Sequence, residues 1–386
     1  LQRRLGAEGT TFGAILDEVR RAFAEALLRD RGVPLGEVSY RLGFSEIEDP
    51  TLVTLQAVTE LTPTISVLGN RQFFRFAATT EDVRNVVLDH PSGGLVTQAF
   101  LRRPGTQPFY QRSPITSTQT STATRLGETR PLVLPTDGDY VVEVGTYAVN
   151  GGVRTTHTGD YRVRLFAPTP LALSRDTERT GSLGARAFDV YRFSGQAGDL
   201  VNVATLGEGV SGGVTAQVYG PGGQFVRQSG QTSLFSETRV FALPSDGTYQ
   251  VVVDGATDAA GAYRLGFSEI GEPTLVTAGT PVTADISVLG DRQFFRYERT
   301  VGETVQVTID HPSGGLVAQT FVRRPGSQPF YQRSVLTSTQ TSTTTRSGTS
   351  FAATAQEAGA HVIEVGTYAV NGGNRSNHAG PYRLRF

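Results

Sequence analysis

Hydrophobic and polar positions follow two different patterns along the chain. In residues 1–46, apolar side chains recur every three or four positions, which predicts an amphipathic helix. From residue 51 onward, short runs alternate between apolar and polar positions and are separated by turn residues, which predicts β-strands. The chain is therefore expected to be mainly β, with a short N-terminal helical segment. The apolar stripe of the predicted helix consists of Phe12, Ile15, Leu16, Val19, Phe23 and Leu27.

Two long segments of the β region match at a constant offset of 221 residues. LGNRQFFRF at residues 68–76 returns as LGDRQFFRY at residues 289–297, and EVGTYAVNGG at residues 143–152 returns unchanged at residues 364–373. A diverged relative of the same unit lies between them. The pattern predicts three tandem antiparallel β-sandwich units of jelly-roll or immunoglobulin type. Their predicted boundaries are 51–166, 167–268 and 269–386, after a helical segment at 1–46.

The octapeptide YRLGFSEI stands at residues 40–47 and again at residues 263–270. The second copy closes a strand-patterned segment, so we predict that it is the last strand of the middle unit. The first copy follows Leu35, Val38 and Leu42 at helical spacing, so we predict that it ends a helix. Identical letters are thus expected to adopt different structures in different contexts.

The middle unit resembles the bacterial pre-peptidase C-terminal (PPC) domain. The sequence segments that carry the resemblance are VYRF, AGDLVNV, VYGPGG, SDGTYQVVV and GAYRLGF, and more diverged forms of them occur in both flanking units. The resemblance implies a β-sandwich that accompanies secreted bacterial hydrolases and surface proteins and has no catalytic residues of its own. It implies binding of polysaccharide or extracellular protein, or a spacer role, and an extracellular or cell-surface location.

Residues 1–46 resemble the middle of an AraC/XylS-type DNA-binding domain. In that family LQRRL ends the first recognition helix, and PLGEVSYRLGFSE opens the second helix-turn-helix. The second recognition helix does not follow, so only Arg3 and Arg4 map to DNA-reading positions. The alternative to DNA contact is a helical remnant that packs its apolar stripe on the next domain.

Two further functional hypotheses therefore stay open beside a non-enzymatic binding or spacer region. One is a cytoplasmic AraC-type transcription regulator with a β-sandwich sensor. The other is the accessory region of a secreted peptidase. The chain does not begin with Met, and we expect it to be a piece of a longer protein.

Composition narrows these possibilities. The formal net charge is −1, which gives no general attraction to nucleic acid. No apolar run is long enough to span a membrane. The chain has no Cys, and every one of its 35 basic residues is Arg, which excludes thiolate metal sites, Walker-type phosphate loops and Schiff-base lysines.

The best candidate for ligand binding is an Arg- and aromatic-rich hairpin that occurs in both copies. Guanidinium groups beside aromatic rings suit stacking on sugars or contact with acidic groups. The alternative is that one of the two adjacent aromatic residues fills the core, because neighbours on a strand face opposite sides. The candidate residues are Arg102, Arg103, Phe109, Tyr110 and Arg112, with their copies Arg323, Arg324, Phe330, Tyr331 and Arg333.

No reaction is indicated by the remaining motifs. Residues 209–213 fit G-x-S-x-G, but a strand pattern follows where a nucleophile elbow needs a helix. The Asp-His-Pro turns at 89–91 and 310–312 are predicted to be structural. Some PPC relatives hold Ca²⁺ with loop carboxylates, but no clustered motif supports such a site here, so no cofactor is expected. The aspartates considered are Asp89, Asp137, Asp139, Asp246 and Asp310.

Overall fold

The computed structural model forms two compact units, residues 1–167 and 168–386. The residues that the structure describes are 18–19, 21–26, 52–57, 60–66, 70–90, 95–104, 112–117, 126–128, 131–146, 158–210, 213–230, 235–255, 260–310, 318–323, 334–338, 347–349, 353–367 and 379–386.

The predicted helix is present at residues 18–19 and 21–26. Two members of its apolar stripe, Val19 and Phe23, are 58% and 55% exposed. The expectation that the stripe packs on a neighbouring domain is therefore wrong at these two positions, because a single helix buries its apolar face only against a second apolar surface. Arg3, Arg4 and the first octapeptide at 40–47 lie outside the described residues.

The protein is mainly β, as predicted. In the first unit, the larger sheet has the strand order β1-β4-β10-β6-β7. The second sheet has the order β2-β12-β5-β8, with β9 also paired to β5, and β3 pairs with β11. The strands are β1 Val53–Thr54, β2 Glu60–Leu61, β3 Thr64–Ile65, β4 Arg71–Ala78, β5 Val83–Asp89, β6 Thr97–Arg102, β7 Arg112–Ser117, β8 Leu126–Glu128, β9 Leu132–Val133, β10 Gly138–Thr146, β11 Gly159–Asp160 and β12 Arg162–Phe166.

The second compact unit begins with a sandwich that we call the middle sandwich. Its sheets have the orders β13-β15-β21-β17-β18 and β14-β22-β16-β19, with β20 also paired to β16. A 3₁₀ turn at Pro221–Gly223 joins β17 to β18, where the Pro-Gly pair predicted a turn. The strands are β13 Leu171–Ala172, β14 Thr177–Leu183, β15 Phe188–Gly195, β16 Leu200–Glu208, β17 Val214–Tyr219, β18 Phe225–Gln228, β19 Phe235–Glu237, β20 Phe241–Ala242, β21 Gly247–Gly255 and β22 Gly261–Glu269.

The same compact unit continues with the third sandwich. Its sheets have the orders β23-β25-β32-β28-β29 and β24-β33-β27-β30, and β26 pairs with β31. The larger sheets of all three sandwiches thus share one strand order. The strands are β23 Thr274–Leu275, β24 Val282–Ile286, β25 Arg292–Arg299, β26 Thr304–Val305, β27 Thr308–Asp310, β28 Ala318–Arg323, β29 Ser334–Ser338, β30 Ser347–Thr349, β31 Ala353–Thr354, β32 Gly359–Thr367 and β33 Gly380–Arg385.

One strand pair in each larger sheet departs from the predicted antiparallel arrangement. β1, β13 and β23 lie parallel to β4, β15 and β25. A parallel neighbour needs a crossover connection, and each of these edge strands is followed by one that joins another sheet. The repeated segment PTLV pairs with its neighbouring strand in two registers that differ by two residues. Its last residue, Val53, is the partner of Phe74 in the first sandwich, whereas its second residue, Thr274, is the partner of the corresponding Phe295 in the third. A two-residue shift keeps each side chain on its own face of the sheet.

Each core lies between the two sheets of a sandwich, and the predicted alternation is observed. Tyr140, Val142 and Val144 of β10 are fully buried, and so are Tyr249 and its alternate neighbours on β21. The tyrosine hydroxyl ties the strand to the preceding turn, because Tyr249 donates to the carbonyl oxygen of Ser245 at 2.6 Å. Burying a hydroxyl without such a partner would cost about 1–3 kcal/mol.

Candidate functional site

The structure describes both ends of the predicted binding hairpin in the first unit. Arg102 ends β6 and stands opposite Arg112 at the start of β7, and Arg103 is exposed just beyond β6. Phe109 and Tyr110 lie outside the described residues. So do Arg324, Phe330, Tyr331 and Arg333 of the second hairpin, whose residue Arg323 ends β28.

Arg102 takes part in a buried ion cluster on the outer face of the larger sheet. Its Nε donates to Glu143 Oε2 at 3.1 Å, and Arg71 pairs with the other carboxylate oxygen. Glu143 is fully buried, and the Arg102 guanidinium lies 5.1 Å from the centroid of the Phe73 ring. Because an unpaired buried carboxylate is costly, the two arginines are what allow Glu143 to occupy this central strand.

The same outer face of the third sandwich carries Glu364 and Arg292, and there the cluster extends into the middle sandwich. Arg292 Nη1 lies 3.2 Å from Glu364 Oε1. Its Nη2 donates to both carboxylate oxygens of Glu237, at 2.5 and 2.6 Å. Burial would lower the pKa of Arg292, but the charges of Glu237 and Glu364 raise it above its usual value. One arginine therefore holds two carboxylates from two sandwiches.

Small residues make room for this arginine and for the loop before it. A Cβ on Gly366 would lie 2.4 Å from Arg292 Cδ. On the middle sandwich, a Cβ on Gly266 would lie 1.8 Å from the carbonyl oxygen of Leu289. Gly290 has a φ of +79°, and a Cβ there would lie 2.3 Å from Ala204 Cβ. The two backbones therefore touch at a place where side chains are excluded.

Hydrogen bonds fix the loop of residues 287–292 on the middle sandwich. Asn202 Nδ2 donates to the carbonyl oxygen of Gly290 at 2.6 Å. Glu178 Oε2 accepts from the backbone N–H of Leu289 at 3.2 Å. We call the contact between the middle and third sandwiches the junction.

Two apolar clusters complete the junction. Leu289 packs with residues of the middle sandwich in one cluster, and Phe294 does so in the other. The first cluster comprises Ala204, Leu206, Phe235 and Leu289, and the second comprises Val240, Ile270 and Phe294 with Leu200 and Val362 packed against them. Burial of these side chains provides a non-directional contribution beside the directional ion pair.

The octapeptide's second copy forms much of this surface. Its predicted role as the last strand of the middle sandwich is confirmed, since residues 263–269 belong to β22. Tyr263, Leu265 and Phe267 face the core. On the opposite face, Gly266 receives the Leu289 backbone, and Ser268 Oγ lies 3.4 Å from the Gly290 oxygen.

The acidic and histidine residues considered in the sequence have structural partners. Asp89 pairs with Arg162 and Arg164, and Asp310 pairs with Arg383 at 3.1 Å. His90 is buried, with Nε2 3.2 Å from Thr97 Oγ1. His361 Nδ1 lies 3.1 Å from the carbonyl oxygen of Gly359.

The aspartates of the turns, Asp137 and Asp246, accept hydrogen bonds from neighbouring loops. Asp137 Oδ1 accepts from the backbone N–H and the hydroxyl of Thr80, which lowers the pKa of Asp137. Asp246 Oδ1 accepts from the backbone N–H of Ala197 at 2.7 Å. Among the described residues, no three acidic or histidine side chains gather where they could hold a metal ion. β17 begins at Val214, directly after the G-x-S-x-G match, as the strand pattern predicted.

Sequence reasoning missed the importance of Glu143, Glu364 and Arg292. A signal was present, because a glutamate interrupts the apolar run VVEVGT and the corresponding run VIEVGT in the other copy. A charged residue inside a central strand demands a partner on a neighbouring strand. The partner strand itself could not be identified without the sheet order.

Comparisons with known proteins give partial similarities. No family model matches the chain. Uncharacterized HTH-type transcriptional regulators from Mycobacterium bovis and Mycobacterium tuberculosis are each 49% identical to this chain over 47 residues, which is 12% of this chain. The chain spans only 14% of the length of these relatives.

Among solved structures, the pre-peptidase C-terminal domain of a Bacillus anthracis collagenase is 20% identical, with a TM-score of 0.24, and the match covers 26% of this chain and 96% of that domain. PliG, a periplasmic inhibitor of g-type lysozyme from Aeromonas hydrophila, is 14% identical, with a TM-score of 0.22 and coverages of 26% and 97%. The structure contains no helix among its described residues that is long and apolar enough to cross a membrane.

The buried carboxylate of the first sandwich gives a stability prediction. Glu143→Gln keeps the side-chain shape but removes the charge that Arg71 and Arg102 share. We expect a loss of about 2–3 kcal/mol in the free energy of unfolding, measured by chemical denaturation. Asp139→Asn is the matched control, because its pair with Arg75 is exposed at 3.8 Å, and we expect no measurable change there. Equal effects of the two substitutions would contradict the structural role of the cluster.

Asp291 gives a pH-dependent prediction for the junction. Burial raises the pKa of Asp291, aided by the charge of Asp176 and opposed by backbone N–H groups and Arg292. The folded state then binds a proton more tightly than the unfolded chain, so stability falls as pH rises from the ordinary Asp value toward the raised one. Asp291→Asn should therefore stabilise the protein at pH 7 and lose that advantage below about pH 4. Denaturation midpoints across this pH range test it, and a variant that is less stable at pH 7 would count against it.

Proposed function

We propose that the β region is a non-catalytic spacer and binding region of an exported or cell-surface protein. The observation that carries the spacer role is the doubly paired, buried Arg292, which joins Glu237 of the middle sandwich to Glu364 of the third. A spacer must transmit distance and orientation, and this requires that successive domains do not rotate freely.

Three features of the junction support rigidity. The connection from β22 to β23 is short and contains Pro273, which restricts the backbone. One nitrogen of Arg292, Nη2, donates to both carboxylate oxygens of Glu237, and these charge-assisted hydrogen bonds hold the two sandwiches at a fixed distance there. The Leu289 carbonyl contacts Gly266 directly, so that sliding of one sandwich along the other would break this contact between the two backbones. Flexible tethers have none of these features.

Binding of polysaccharide or extracellular protein is proposed for the two hairpins that carry Tyr110 and Tyr331. Exposed Arg103 beside β6 supplies a cation at the base of the first hairpin. A glycan and matrix-protein array tests this role with the parent chain and the double variant Tyr110→Ala/Tyr331→Ala. We expect binding by the parent and at least a tenfold weaker signal from the variant. No binding by the parent chain would exclude a ligand of these classes.

A second candidate function is supported by the 47-residue match to HTH-type regulators. If the helical segment binds DNA, the chain is part of a transcription regulator, and its β region is a sensor. Binding to random-sequence duplex DNA at low salt separates the two hypotheses, with Arg3→Ala/Arg4→Ala as the variant. Submicromolar binding that this variant abolishes would favour the regulator over the spacer.

The rigid junction gives a further prediction. The chain has no Cys, so Gln224→Cys on the middle sandwich and Thr300→Cys on the third introduce the only two thiols for spin labels. Both positions are exposed. We expect a narrow, single distance distribution by pulsed electron paramagnetic resonance. Adding Gly266→Val should broaden it, because the new side chain occupies the position of the Leu289 carbonyl oxygen.

Gly230→Val is the matched control for this experiment. A Cβ at Gly230 meets no heavy atom within 4 Å, so the distribution should stay narrow. A broad distribution in the parent chain would show that the two sandwiches move independently, which would contradict the spacer proposal.

A further inference from the structure

Residues in register on three neighbouring strands form a small charged and aromatic patch on the outer face of the first sandwich's larger sheet. The central strand is β10, and β4 and β6 flank it. Residues that stand directly opposite one another on neighbouring strands point to the same face of a sheet. One row of the patch consists of Phe73, Glu143 and Phe100, and the next consists of Arg71, Gly145 and Gln98. We call these six residues the Arg71 patch.

The third sandwich carries the same two rows of residue types, but there they are covered. The Arg292 side chain is 3% exposed, whereas that of Arg71 is 36% exposed. Both phenylalanines are buried in the third sandwich, whereas Phe73 and Phe100 are half-buried in the first. The same set of residues is therefore accessible in the first sandwich. The rows of the third sandwich are Phe294, Glu364 and Phe321, then Arg292, Gly366 and Gln319.

In the third sandwich a second carboxylate binds to this surface. Arg292 Nη1 lies beside Glu364, and Nη2 donates to Glu237 of the middle sandwich. In the first sandwich Arg71 Nη1 pairs with Glu143 in the same way, and its Nε and Nη2 have no acceptor among the residues that the structure describes. A guanidinium carries five N–H donors, so it binds a second carboxylate without displacing the first.

The Arg71 patch attracts a carboxylate because its own charges do not cancel. Glu143 is fully buried and is the partner of both Arg71 and Arg102, so one carboxylate is set against two guanidinium groups. The accessible part of the excess positive charge lies at Arg71. Gly145 helps to hold the guanidinium there, since a Cβ on Gly145 would lie 3.3 Å from Arg71 Cγ and the glycine leaves room for the arginine side chain.

We propose that the Arg71 patch binds uronic acid residues of an acidic polysaccharide. This inference rests on the proposed polysaccharide-binding function and names the class of polysaccharide. The carboxylate of the sugar accepts a hydrogen bond from Arg71 Nη2, as Glu237 accepts one from Arg292 Nη2. The apolar face of the sugar ring contacts the exposed parts of Phe73 and Phe100.

The spacing within the patch favours a rigid ligand that carries both an apolar face and a carboxylate. Along β4, Arg71 and Phe73 are two residues apart, which is about 7 Å in a strand. A uronic acid carries its carboxylate directly on the sugar ring, so one residue of the polymer reaches both side chains. An acidic peptide presents its carboxylate on a flexible side chain, which loses conformational freedom when it is fixed. The sugar acid is therefore the better match.

Polygalacturonate and its methyl ester test the proposal, because the two polymers share the sugar ring and differ in the charge of the carboxyl group. Binding to the full chain is measured by isothermal titration calorimetry. We expect the parent chain to bind polygalacturonate about tenfold more tightly than the ester, and Arg71→Gln to remove this preference. Arg296→Gln is the matched control, because it removes the same charge from an exposed arginine of the third sandwich, and it should leave the preference unchanged.

Gln98→Glu provides a second variant, which keeps both arginine partners of the buried Glu143. The new carboxylate faces Arg71 across Gly145, where it competes with the ligand for the guanidinium and repels the ligand's charge. We expect polygalacturonate to bind this variant about tenfold more weakly than the parent chain. Gln224→Glu adds the same charge at an exposed position of the middle sandwich and should have no effect.

Equal binding of polygalacturonate and its ester by the parent chain would overturn the proposal without contradicting polysaccharide binding by the hairpins. A preference for polygalacturonate that both Arg71→Gln and Gln98→Glu retain would overturn it as well. Poly-glutamate that binds as tightly as polygalacturonate would also overturn it, because the patch would then recognise acidic protein and not a sugar. A parent chain that binds neither of these polymers nor any glycan on the array would contradict both this proposal and the binding function on which it rests.

Discussion

The need to pair a buried carboxylate governs the outer face of the larger sheets. Glu143 and Glu364 lie on central strands where water does not reach them, and an isolated charge in such a place would cost several kcal/mol. The neighbouring strands supply arginines as partners, and a glycine on the glutamate's own strand leaves room for the arginine side chain. At the junction the same arginine also reaches Glu237, so a requirement within one sandwich becomes a connection between two.

A connection of this kind contributes more to the relative orientation of the middle and third sandwiches than to their stability. Apolar contacts around Leu289 and Phe294 supply much of the attraction, and they tolerate sliding. Sliding would break the hydrogen bonds from Arg292 Nη2 to Glu237 and the direct contact of the Leu289 carbonyl with Gly266. The combination fixes how the third sandwich is oriented on the middle one.

The sequence was sufficient to predict the mainly β fold, the alternation of Tyr140, Val142 and Val144, and the strand at the second octapeptide. These features depend on local period and on repetition, which are visible in the letters. It was not sufficient for the ion cluster, because Arg71, Arg102 and Glu143 meet through a sheet order that brings distant segments together. The two-residue shift of PTLV was present in the sequence, because the two PTLV segments are 223 residues apart whereas the other repeated segments are 221 apart, but the parallel pairing of these segments was not. The hairpin's ligand-binding role stays a prediction.

The octapeptide shows how one short sequence can carry two kinds of information. In β22, Tyr263, Leu265 and Phe267 specify a strand through burial, while Gly266 and Ser268 on the other face specify a neighbour. The two roles do not interfere, because successive side chains point to opposite faces of a strand and each face packs against a different partner. At 40–47 the same letters follow a helical pattern of apolar residues. The structure that such a segment adopts therefore depends on the sheet that it joins. Its glycine contributes to a domain contact only where another backbone packs directly against it.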